Sequence, residues 1–78
     1  MQVGDFIEDR YRNESGEIVM ILSGFVVETS DRNNTVTYYC LKSSSDGNRY
    51  DMTGKVVTRN TRTCHVVCPA AQSGSKVE

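Results

Sequence analysis

The sequence predicts an all-β domain of short strands, and three observations carry that expectation. No 11-residue window sustains apolar residues at i, i+3, i+4 and i+7, and Ala and Leu together number only four, so amphipathic helices have little to form from. Val, Ile, Thr, Tyr and Phe gather instead in short runs. These residue types fit a pleated, half-buried surface. Between the runs stand Gly, Asn, Asp and Ser, which supply turn conformations at little steric cost.

The elements follow in chain order. "VGDFI" (3–7) reads as a first strand, and "EDRYRNESG" as a polar connection long enough to be a functional loop. "EIVMILSGFVVET" (17–29) is strongly apolar but too long for one straight strand in a small protein, so a bend or turn is expected at Ser23-Gly24. "SDRNN" (30–34) is a turn cluster. "TVTYYCLK" (35–42) then alternates Val36, Tyr38 and Cys40 on one face with Thr37, Tyr39 and Leu41 on the other, as a central strand does. Asp46-Gly47 is a pair suited to a tight hairpin turn. "RYDM" (49–52) is expected to return as a strand, Thr53-Gly54 to break it, "KVVT" (55–58) to continue, and "TCHVV" (63–67) to form the last strand. Pro69 cannot donate to a ladder and closes that strand.

The stretches "VGDFI", the polar loop, "GEIVMI" and "YYCLKSSSDGNRYDM", spanning roughly residues 3–58, resemble the strand plan of small SH3-like barrels, including KOW-type barrels. The resemblance implies an SH3-like barrel of five to six short strands over residues 1–68, with a flexible C-terminal tail over 69–78. Similar barrels occur among phage and mobile-element proteins. KOW-type barrels often bind nucleic acid or the transcription and translation machinery. Plasmid-borne dihydrofolate reductases are also barrels of this size, but their Val-Gln-Ile-Tyr stretch is replaced here by "NRYDM", which argues against that activity.

Seventy-eight residues make one domain with a small core. A hydrophobic content of 37% with 24% charged residues is ordinary for a folded soluble chain. No apolar run reaches the roughly 18 residues of a membrane helix, and "MQVGDF" lacks an export signal, so a cytoplasmic protein without a membrane partner is expected. Three cysteines at irregular spacing fit that compartment. Net charge is −1, but residues 1–31 carry seven acids against Arg10 and Arg12, while residues 32–63 carry six bases against Asp46 and Asp51. That split favours an acidic partner or head-to-tail self-association, unless interleaved strands mix the two halves.

"TCHVVCP" (63–69), with Cys40, offers zinc-ligand types. In a strand, however, Cys64 and Cys68 would share a face about 13 Å apart, and two valines make a poor chelating turn. No metal or cofactor is expected, and a disulfide from Cys40 to Cys64 or Cys68 stays open. His65 has no evident nucleophile to serve, so no enzyme is expected. Tyr38, Tyr39, Tyr50, Arg49, Lys55, Arg59 and Arg62 make nucleic-acid binding a second reading, weakened by the slightly negative charge. The leading expectation is a non-catalytic module for protein–protein interaction, acting as a homo-oligomer. Its binding residues are expected in the 8–14 loop, at Tyr11 and Arg12, and in the 46–51 hairpin, at Arg49 and Tyr50.

Overall fold

The computed structural model describes residues 1–45 and 51–70. Five antiparallel strands form one sheet: β1 (Phe6–Arg12), β2 (Ile18–Ser30), β3 (Thr35–Ser45), β4 (Val56–Asn60) and β5 (Cys64–Cys68). Their order is β4-β3-β2-β1-β5, so β1 to β4 run as a meander and β5 returns beside β1. The fold is all-β, as the sequence predicts. The sheet is open, because no ladder joins β4 to β5 among the described residues.

Those two edges are nevertheless close. A three-residue 3₁₀ turn, Thr61–Thr63, connects β4 to β5, and the four steps from Asn60 to Cys64 reach at most about 14 Å. The edges of a flat five-stranded sheet lie about 19 Å apart at about 4.8 Å per strand. The sheet therefore curls, enclosing Ile7, Leu22, Val26, Val36, Tyr38, Cys40, Val57 and Cys64.

Two expected elements are corrected and a third takes a definite form. The first strand is not residues 3–7 with a loop after it: β1 runs through Arg12, and the connection shrinks to a turn over Asn13–Glu17. The Asn13 side chain accepts from the Ser15 and Glu17 amides at 2.9 and 3.0 Å, and Gly16 takes a φ of +88°. The strand was disguised because its inward positions are Ile7, Asp9 and Tyr11, so a carboxylate stands where alternation calls for an apolar residue. The apolar stretch 18–30 is one strand that bends at Ser23/Gly24, one of the two forms expected there, with a second register shift at Val26/Glu28. Asp51 and Met52 form no strand; the Asp51 carboxylate accepts from the Thr53 amide instead, at 3.0 Å. The expected Asp46-Gly47 hairpin, with Arg49 and Tyr50, lies outside the described residues.

Elsewhere the pattern holds. Val36, Tyr38 and Cys40 are buried while Tyr39 faces out. Residues 64–68 are a strand, with all three cysteines as free thiols. Cys64 and Cys68 do not share a face, however: a register shift between Phe6 and Ile7 turns Cys68 outward while Cys64 stays buried. The chain stays tied to the sheet as far as Ala70, whose amide donates to Asp5 Oδ1 at 2.8 Å.

Candidate functional site

Asp9 is fully buried at the centre of β1. A lone carboxylate there would carry a heavy desolvation penalty, and its surroundings answer it on every side. Tyr38 Oη on β3 donates to Oδ2 at 2.5 Å, Thr63 Oγ1 donates to Oδ1 at 2.8 Å, and Arg59 Nε on β4 reaches both oxygens at 3.0 and 3.2 Å. One carboxylate thus ties together β1, β3, β4 and the 3₁₀ turn. No buried side-chain polar atom among the described residues lacks a partner.

The charge of Asp9 also sets its neighbours. Burial of the Arg59 guanidinium works against its charge, but the hydrogen bond and charge of Asp9 outweigh that and raise its pKa. Burial, then the bond to Asp9, keeps the Tyr38 hydroxyl protonated far above its usual range. Tyr11 is raised by burial and then by Asp9, and its ring lies beneath Arg59, whose Cζ is 3.7 Å from the ring centroid. Burial pushes the Cys64 thiol to about 11, so it is no activated nucleophile.

Above this hub opens a cleft of about 370 Å³ lined by Arg10, Arg12, Arg59, Arg62, Thr63 and His65. Arg10 is paired with Glu8 at 2.8 Å and Arg59 with Asp9. Arg12 Nη1 donates to the Gly16 carbonyl at 2.8 Å, which engages a donor but cancels no charge. The Arg62 guanidinium is exposed and has no hydrogen bond or ion pair among the described residues. His65, also exposed, has Nε2 3.8 Å from Glu8 Oε1. The cleft therefore has a positive excess that can take up one or two anionic groups. A larger hollow of about 450 Å³ beside Ile18, Met20 and Ile21 has Glu17 as its one ionisable lining residue among the described residues, already bonded to Asn13.

The structure brings two of the expected site residues here: Arg12 on the wall and Tyr11 in the floor beneath Arg59. It adds Arg10, Thr63 and His65, together with Arg59 and Arg62. Among the described residues no group of three His, Cys, Asp or Glu side chains is placed to hold a metal ion. No helix of the described chain is long and apolar enough to cross a membrane. No protein family, curated protein or solved structure matches this chain.

Proposed function

We propose that the protein is a non-catalytic protein-binding module, an SH3-like plan left open between β4 and β5, which grips an acidic group of its partner in the arginine cleft. The observation that carries this reading is the Arg62 guanidinium, without a partner among the described residues, beside three other arginines, two of which spend their charge on Glu8 and Asp9. An acidic protein segment suits the cleft better than a nucleic-acid backbone. The exposed aromatics Phe25 and Tyr39 lie on the outer face of the sheet, and among the described residues the one tyrosine or phenylalanine ring at the cleft, Tyr11, is covered by Arg59. Among the described residues that leaves the His65 imidazole as the open ring for a base beside the cleft, a sparse platform for stacking. Phe6, Phe25, Tyr39 and Val56 are register partners across β1 to β4 on that outer face, and this row supports self-association as a second property.

Calorimetric titration with hexaglutamate and with a dT15 oligonucleotide in low salt tests the reading. Hexaglutamate should bind and lose about tenfold in affinity in Arg62→Ala, the scale of one charged contact, with the melting temperature unchanged. Absence of hexaglutamate binding overturns the proposal. Tighter, steeply salt-dependent binding of dT15 replaces it with a nucleic-acid module.

A further inference from the structure

The strand β5 stops before β1 does. Its ladder with β1 runs from Phe6↔Cys68 to Asp9↔Cys64, whereas the β1–β2 ladder continues to Arg12↔Ile18. Residues 10–12 therefore have a strand on one side and the basic cleft on the other. The Arg10 carbonyl turns toward the cleft, where Arg59 Nη2 stands 3.5 Å away, at the long limit of a hydrogen bond. Among the described residues the edge has no ladder partner beyond Asp9, and the long Arg59 contact is the one side-chain bond seen on it; a strand edge of this kind is a template for another strand. The charges around it decide which strand, because Arg12 and Arg62 repel a basic segment and offer an apolar one nothing.

We propose that residues 10–12 of β1 are a strand-addition site: an extended acidic segment of the partner pairs along this edge, continuing the line of β5. The proposal rests on the acidic-partner reading and gives it a docking mode. Main-chain hydrogen bonds to Arg10 and its neighbours fix the segment's direction and register, while its side chains alternate between the cleft and solvent. Carboxylates on the cleft side, about 7 Å apart along the segment at positions i and i+2, meet Arg62 and Arg12. A phosphodiester backbone has no N–H to give the Arg10 carbonyl, so the same edge discriminates against nucleic acid. Docking displaces the long Arg59 Nη2 contact from the Arg10 carbonyl but leaves the strand in place, since β1 is held by β2 and by the bonds of Asp9.

Selection of a displayed library of random octapeptides on the intact protein provides the ligands, and amide hydrogen exchange of the resulting complexes reads the mode. The expected result is enrichment of Asp or Glu at alternating positions. Proline should be excluded from one alternating set, whose amides pair with the edge, and the Arg10 and Arg12 amides should exchange at least tenfold more slowly when the peptide is bound. Acidic peptides that tolerate proline throughout, or leave those amides unprotected, refute strand addition while sparing the acidic-cleft reading. Selected peptides without acidic residues, or a library yielding no binder, overturn both.

Discussion

Asp9 is the residue whose replacement tests the folded architecture most directly. Asp9→Ala removes the acceptor of the Tyr38 hydroxyl, the Thr63 hydroxyl and the Arg59 guanidinium together. Breaking a buried ion pair from one side costs roughly 3–5 kcal/mol. The Arg59 side chain keeps 25% exposure, so water recovers part of its solvation, and the lower end applies. The expected loss is therefore about 3 kcal/mol, against a total stability of about 4–12 kcal/mol for a chain of this length. Asp9→Asn keeps the shape but not the charge and should lose about 2 kcal/mol. Urea denaturation followed by tyrosine fluorescence reads both, since a slope near 1 kcal/mol/M for a small domain turns 3 kcal/mol into a midpoint shift of about 3 M. The companion is Asp9→Leu with Arg59→Met, which removes both charges at similar volume. It should recover most of what Asp9→Leu alone loses, because an apolar pair needs no desolvation. An Asp9→Asn midpoint within 0.3 M of the parent, or a double variant no more stable than Asp9→Leu, would refute the assignment of Asp9 as the charged hub.

Gly24→Ala should destabilise by more than 3 kcal/mol in the same assay, since a Cβ at that position would lie 1.8 Å from the Tyr39 carbonyl oxygen and would force β2 and β3 apart. The Asp5 carboxyl, lowered chiefly by the Ala70 amide, should give stability that is complete above its unfolded pKa of about 3.9 and is lost as pH falls through its lower folded value; Asp5→Asn should flatten that acid limb in pH-dependent melting. Labelling with a thiol reagent at neutral pH should modify Cys68 rapidly and leave Cys40 and Cys64 unreacted until the protein unfolds, because Cys68 is exposed while burial raises the other two thiols.

The fold class was legible because it rests on alternation and turn chemistry, which are local. Thr35–Leu41 alternates cleanly between core and surface, and the structure buries Val36, Tyr38 and Cys40 as the spacing requires. The continuation of β1 over residues 8–12 was not legible for the same reason. Its inward residue Asp9 is stabilised by partners 29, 50 and 54 positions away in sequence, so its local signature is that of a loop. The Ser23–Gly24 bend was visible as a glycine, but its form was not. Whether a glycine marks a turn or a bulge depends on the facing strand, here the close approach of the Tyr39 backbone.

The cleft exposes a different limit. Tyr11 and Arg12 are singled out by the sequence because loops carry most ligand contacts, but no loop holds them: they are the end of β1. Arg59 and Arg62 were visible as bases in a sparse segment, "VVTRNTRT", whose charge density is low along the chain. Curling of the sheet changes that density, because the three-residue connection to β5 carries Arg59 and Arg62 over Arg10 and Arg12. Charge counted along the sequence placed an acidic half against a basic half; in space the two arginines of the acidic half join two of the basic half at one mouth. What separates them chemically is the acid each one meets. Arg59 is committed to Asp9 and Arg10 to Glu8, so the cleft arginines that meet no acid among the described residues are Arg62 and Arg12, and the proposed grip on an acidic partner rests on those two.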